Sequence, residues 1–426
     1  MTNDERSYDR LRLRQFLDGT ARADGVDRRA LLRLLAAGDA VGAASALGVA
    51  SPAGAAARAP GAADSAPGIV KPLPDDRFVV HGTNAETCWA ALRDTGYHTP
   101  NELFFVRNHT RTPRLAAADW RLTVWGSGLR SGPVEFGFDE LRALPATELT
   151  AAVECAGNGR SFYTSQQGET VSGTAWKLGA IGVAHWRGVR LAEVLRRAGL
   201  RRDAVDVQPR GLDDPFTDSS GAELGRVRRP LPLAKALDDV LLGYQMNGEP
   251  LPADHGHPVR VLVPSWIGIA SIKWVGDIEV SAEPLYSPWN TDLYRLFGPD
   301  HPAGGSAPLT RQTLKSAFEL DWDAPLAVGA THELTGRSWS GGAPVRSVEV
   351  SVDGGRRWRA ARLRDRPRPD GWVRWSLPWT PTTPGPATLL ARATDADGTR
   401  QPERATYNAQ GYLFNAVVRH PVLVTA

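Results

Sequence analysis

Residues 149–160 read LTAAVECAGNGR. An apolar run of strand length ends on a cysteine and breaks at Gly-Asn-Gly, a tight-turn signal. The run is short enough for a buried strand that delivers Cys155 to a turn, with Arg160 five residues on. Only two cysteines occur in the 426 residues. Two thiols cannot build a disulfide framework or a cysteine-based zinc cluster, and no Cys-x-x-Cys-His motif encodes a covalent c-type haem.

Around this run, strand and helix signals interleave. WRLTVWG (120–126) alternates as a strand does, and FDELRAL (138–144) reads as a short helix with Asp139 near its start. VRLAEVLRRAGL (189–200) has apolar residues at spacings of three and four and stops at Gly199. HPVRVLVP (257–264) and IKWVGDIEV (272–280) read as strands. No regular βαβ period appears, so the class expected for residues 70–300 is α+β, a mixed α/β domain, rather than a doubly wound sheet. HPAGGSAP (301–308) has linker composition. Beyond it come only strand-like runs with turn signals about every ten residues, the spacing of an immunoglobulin-like β-sandwich over 308–426. Asp353-Gly354 marks a hairpin there.

The first 65 residues read as an address label. Arg28-Arg29 precedes an Ala/Gly/Leu-rich run interrupted by Arg33 and Asp39. That pattern resembles a twin-arginine export signal followed by a linker, and the run is too short and too charged to span a bilayer. An exported, extracytoplasmic protein is expected, with no integral membrane segment. The net charge of +3 is close to neutral for this length and argues against a nucleic-acid face.

Four polar constellations stand out. They are FFVRNH (104–109), CAGNGR (155–160) with Trp176 further on, DHGHPVRVLVP (254–264), and SIKW (271–274) followed by YSPWNTDLYRLF (286–297). Each residue alone reads blandly: a lone cysteine as a buried thiol, a lone histidine as a cap, an arginine as an ion-pair support. Together they set Arg, His and Lys in turns beside strands with few balancing carboxylates. Such a site is electropositive, and arginine's planar fork suits phosphate- and sulfate-shaped groups. The same field favours the thiolate that a soft metal requires.

These motifs resemble the sulfite oxidase family of molybdenum enzymes. The likeness extends through WKLGAIGVAHWRGVRL (176–191), YQMNGEPLPADHGHPVRVLVPSWIGIASIKWVGDI (244–278) and the Trp289, Tyr294, Phe297 pattern, and it covers about residues 75–426. It implies one molybdenum per chain, held by a molybdopterin and by the Cys155 thiolate. It implies pterin and phosphate contacts from Asn108, His109, Asp213, His255, Arg260, Ser271 and Lys273. It implies a substrate pocket of Arg107, Arg160, Trp176 and Tyr294. The reaction implied is oxygen-atom transfer to sulfite, with electrons leaving to an external acceptor such as a cytochrome, in a homodimer. Two positions depart from the family pattern: Gly159 and Gln410 stand where relatives often carry arginine. Alternative readings are another oxo-substrate, a sulfoxide or nitrate, on the same cofactor; a Cys155-dependent hydrolase; and a secreted binding protein.

Overall fold

A computed structural model describes residues 68–426; the expected export segment lies outside them. The apolar run at 149–155 belongs to a nine-residue strand, Ala146–Glu154. Its last four residues, Ala151–Glu154, are buried, so the strand enters the interior before reaching Cys155. It pairs antiparallel with Ile181–Arg190, which pairs with Leu241–Met246, which in turn carries the short strands Arg260–Leu262 and Glu249–Pro250.

A second sheet runs in the order Leu231–Pro232, Asp206–Gly211, Val275–Ser281, Arg121–Trp125, Val134–Gly137. Arg121–Trp125 shows the expected alternation, with Leu122 and Val124 fully buried and Arg121 exposed. Only one pair in this sheet is parallel, Val275–Ser281 with Arg121–Trp125, which accounts for the missing βαβ period. The helix expected from residue 189 begins at Leu191, because Val189 and Arg190 are committed to the ladder with Leu241–Met246. It buries Leu191, Val194 and Leu195 and ends before Gly199, whose φ of +84° is the left-handed stop. The strand expected from residue 272 begins at Val275, and SIKW forms a turn ahead of it. That turn carries Ser271 and Lys273.

Residues beyond 314 build the expected sandwich. One sheet orders Lys315–Phe318, His332–Trp339, Trp372–Trp379, Arg362–Leu363. The other orders Ala324–Ala327, Arg419–Thr425, Gly385–Asp395, Val345–Ser351, Arg359–Ala360. Val348, Val350, Trp375, Leu389 and Ala393 fill the space between them. The Asp353-Gly354 signal falls in the hairpin that joins Val345–Ser351 to Arg359–Ala360. No helix among the described residues is long and apolar enough to cross a membrane.

The sandwich and the two sheets share a core and belong to one compact unit, Ser65–Ala426. Trp89 stacks on Trp339 of the sandwich at 5.7 Å, and Trp372 closes the same cluster. The junction also holds a buried ion pair. Lys315 Nζ lies 2.8 Å from Glu154 Oε1 and 2.8 Å from the Asn158 carbonyl, and both charged side chains are at most 3% exposed. Asn158 donates to the same Glu154 oxygen at 2.9 Å and accepts the Ala180 N–H at 3.0 Å. Glu154 and Asn158 flank Cys155, so one buried cation from the sandwich fixes the turn that presents the thiol.

Breaking a buried pair leaves an uncompensated charge, at a cost of about 3–5 kcal/mol. Lys315→Met is expected to destabilise by that amount in urea unfolding. Adding Glu154→Gln is expected to recover at least half of the loss, and additive losses would show that the two charges do not interact.

Candidate active site

The turns after several strands converge on one pocket of about 720 Å³, its open mouth included. Cys155, Arg107, Asn108, His109, Asp213, His255, Arg260, Ser271, Lys273 and Tyr294 all line it. These residues lie up to 187 positions apart in the chain (Arg107 to Tyr294).

Cys155 is 9% exposed. Its N–H is held by the Ala180 carbonyl at 3.0 Å, and its own carbonyl accepts from Asn158 N–H at 2.9 Å. Gly159 follows at φ +95°, a conformation that a side chain would strain. The sulfur is thus presented from a braced turn at the end of a buried strand.

Arg260 is a buried cation of the pocket. It is 3% exposed, and its guanidinium meets only backbone carbonyls, those of His255 at 3.0 Å, Ser271 at 3.1 Å and Val261 at 3.5 Å. One face lies over the Trp186 ring at 5.2 Å. No carboxylate of the described residues pairs with it, and burial pulls its pKa down to about 9. Lys273 stands alongside. Its ammonium donates to Asn108 Oδ1 and, at 2.8 Å, to the Asp254 carbonyl. Burial first, then the neighbouring Arg260, holds its pKa well below the usual lysine value.

His255 is buried against Phe104, and its Nε2 has no hydrogen-bond partner. Burial, with Lys71, Lys273 and Arg260 nearby, keeps the ring neutral. His109 is kept neutral in the same way, by burial and by Arg107. Trp289 Nε1–H points at His109 Nε2 at 3.2 Å, which makes that nitrogen the acceptor and leaves the proton on Nδ1. Asp213 also has an unpartnered oxygen, Oδ1, and burial raises its pKa to about 6. Ser271 Oγ is occupied by the Val263 N–H at 3.1 Å.

Tyr294 adopts φ +56°, rare for a bulky residue, which marks a conformation enforced by its surroundings. Its ring stacks on Tyr412 at 5.1 Å, burial raises its pKa, and it feels both Arg107 and Cys155. Two expected pocket residues stand back from the cavity. Trp176 is 1% exposed and packs edge-on against His81 at 5.2 Å, within the apolar cluster that includes Cys155. Arg160 donates to the carbonyls of Gln410 and Thr174, both at 2.9 Å, and lies over the Tyr412 ring. Gly157, Gly173 and Gly411 leave room for it there; a Cβ at any of them would meet its side chain within 2.9 Å. Its carbonyl contacts, rather than the cavity, take up two arms of its fork.

Some site residues escaped the sequence reading. Asp254 accepts the N–H groups of Val70 and Lys71 and the Thr112 hydroxyl, while its own carbonyl takes Lys273. It ties the segment near residue 70 to the stretches that carry Thr112 and Lys273. Its place inside DHGHP was a signal; Lys71, whose burial-lowered pKa falls to about 7, gave none.

A model of the oxidoreductase molybdopterin binding domain matches residues 109–289, and a Mo-co oxidoreductase dimerisation domain model matches 321–425. Over 346 residues the chain is 36% identical to sulfite oxidase of Gallus gallus, covering 77% of this chain and 73% of that one. The chain belongs to the sulfite oxidase family. It is also 38% identical over 357 residues to the mitochondrial sulfite oxidase of Homo sapiens, covering 78% of this chain and 63% of that one. It therefore spans less than two thirds of the length of such mammalian relatives. A nitrate reductase of Ulva prolifera is 30% identical over 80% of this chain and 42% of its own. Among solved structures, the sulfane dehydrogenase SoxCD of Paracoccus pantotrophus matches with a TM-score of 0.69 at 28% identity, covering 82% of this chain and 88% of that one.

As a member of this family the chain is a molybdopterin-dependent oxidoreductase with a dimerisation domain. The pocket's donor set fits the cofactor: the unpaired buried guanidinium of Arg260 beside the buried Lys273 suits a phosphate-bearing group, and the orphaned His255 Nε2 and Asp213 Oδ1 suit a heterocycle rich in donors and acceptors. The fit has a stability consequence. In cofactor-free protein, Arg260→Met is expected to stabilise by about 1–4 kcal/mol, since it removes an unpaired buried charge. The same variant is expected to retain at least 10-fold less molybdopterin after gel filtration, measured by pterin fluorescence. A variant that keeps its cofactor would remove Arg260 from the binding set.

Proposed function

We propose that the protein oxidises sulfite to sulfate. The overall change is sulfite plus water giving sulfate, two protons and two electrons. The observation that carries this reading is the meeting of a braced thiol, Cys155, with Arg107 and the buried Tyr294 in one pocket whose other lining residues include the unpaired Arg260. When bound, the molybdenum cofactor supplies a transferable oxygen and accepts the electron pair.

The chain's own residues would divide the remaining work. Cys155 is the proposed thiolate ligand of the metal. Asn108, His109, Asp213, His255, Arg260, Ser271 and Lys273 are the proposed pterin and phosphate contacts. Lys273 has its ammonium aimed by Asn108 and Asp254, and Ser271 acts chiefly through its backbone carbonyl on Arg260. Arg107 has no carboxylate partner among the described residues and would orient the substrate anion by charge-assisted hydrogen bonds. Tyr294, kept protonated by burial, would donate to an oxygen there. Trp176 would exclude water as part of the apolar wall behind Cys155, and Arg160 would act from its position over Tyr412.

The proposed electron acceptor is a separate protein such as a cytochrome. Arg28-Arg29 and the run after it support export by the twin-arginine route, which carries folded, cofactor-loaded proteins. The dimerisation domain supports a homodimer.

The test is a steady-state comparison of sulfite, dimethyl sulfoxide and nitrate on molybdenum-loaded protein, with dye acceptors or donors. Turnover of nitrate or the sulfoxide without sulfite would overturn the reading. Arg107→Met is expected to lower kcat/KM for sulfite about 10- to 100-fold, the worth of a charge-assisted hydrogen bond. Arg160→Met is expected to cost less than Arg107→Met. The reverse order would place the anion against Arg160.

A further inference from the structure

Residues 353–370 read DGGRRWRAARLRDRPRPD. Arg356, Arg357, Arg359, Arg362, Arg364, Arg366 and Arg368 are all exposed. Arg364 pairs with Glu333; the other six have no carboxylate partner among the described residues. Three aspartates belong to the run against its seven arginines: Asp365 is committed to Arg374 at 2.8 Å, Asp353 Oδ1 accepts the Arg357 backbone N–H at 2.9 Å, and Asp370 closes the run. The segment supplies the edge strand of both sandwich sheets, Arg359–Ala360 on one and Arg362–Leu363 on the other. Its charge therefore forms a continuous basic strip down one side of the sandwich. Lysine and arginine on an edge strand deter strand pairing, but two or three would do so, and none needs to continue through the following loop to Arg368.

The strip leads toward the active site. After Arg368, which lies over the Tyr97 ring at 6.0 Å, the chain reaches Asp370, whose carbonyl accepts the N–H of Ala152 at 2.6 Å. Ala152 is three residues before Cys155 on the same strand, about 10 Å along it. We propose that this basic strip is the docking surface for an acidic electron-acceptor protein. The inference rests on the reading that electrons leave the chain singly: two acceptor haem irons each go from Fe(III) to Fe(II) for each sulfite oxidised. An acidic partner would be steered to the strip, and its arrival there sets it beside the strand that ends at Cys155. A second copy of this chain is a poorer occupant, since across a two-fold axis the strip would meet its own like charges.

The test uses two probes with one fold and one haem, basic mitochondrial cytochrome c and the same protein with its lysines succinylated. Turnover with sulfite and a small cationic dye, phenazine methosulfate, checks the underlying activity separately. At low salt the succinylated form is expected to be reduced at least 10-fold faster than the basic form, with the advantage falling at 0.5 M salt, where the screening length is only about 4 Å. The triple variant Arg362→Ser, Arg366→Ser, Arg368→Ser is expected to lose that advantage while its dye activity stays unchanged. Equal rates for the two probes, or an unchanged preference in the variant, would overturn the proposal. So would an altered oligomeric state in the variant, which would assign the strip to a second copy. Strip-dependent retention on anionic vesicles or heparin with no cytochrome preference would also overturn it. If the dye assay shows no sulfite turnover, the functional reading fails, while binding of succinylated cytochrome by thermophoresis still decides the strip.

Discussion

A guanidinium buried without a counter-ion governs this structure's active site. Arg260 has only carbonyl oxygens and an aromatic face around it, and its pKa is drawn down to about 9. Folding alone gives no return for that cost, because an apolar residue of similar volume would serve the core better. The arrangement makes sense when an anion completes it. Lys273, with its two aimed acceptors, and the neutral His255, with its unpartnered Nε2, line the same pocket.

The mechanical counterpart is the turn at Cys155. A thiol proposed as a metal ligand would have to keep its direction, and three separate parts of the chain fix that of Cys155. The Ala180 carbonyl takes its N–H, Asn158 folds back onto its carbonyl and onto Glu154, and Lys315 arrives from the sandwich to neutralise Glu154. The sandwich is therefore more than an appended module: its first strand is part of the scaffold of the site. The segment around residues 408–412, between the last two sandwich strands, makes a similar contribution by holding Arg160 and stacking Tyr412 on Tyr294.

Much of this was legible in the sequence because the chemistry is concentrated in short motifs. ECAGNGR showed a strand delivering a thiol to a turn, and FFVRNH, DHGHPVR and SIKW showed cations gathering with few carboxylates. The alternation at 120–126 and the turn spacing after residue 308 marked the two architectures. What was illegible depends on partners far apart in the chain. Lys315 reads as one lysine in a strand; only the fold reveals its bond to Glu154, 161 positions away. Arg160 is expected in the pocket only from the family resemblance, and carbonyls at 174 and 410 hold it. Helix and strand starts shifted at 191 and 275 because neighbouring residues were taken by ladders and turns that local periodicity does not encode.

The central claim is that Cys155 is the protein ligand of a molybdenum cofactor seated in this pocket. X-ray absorption at the molybdenum edge of purified protein tests it most directly. The account predicts that Cys155→Ser keeps its molybdenum and pterin but loses one sulfur neighbour of the metal. An unchanged sulfur count in that variant would contradict it.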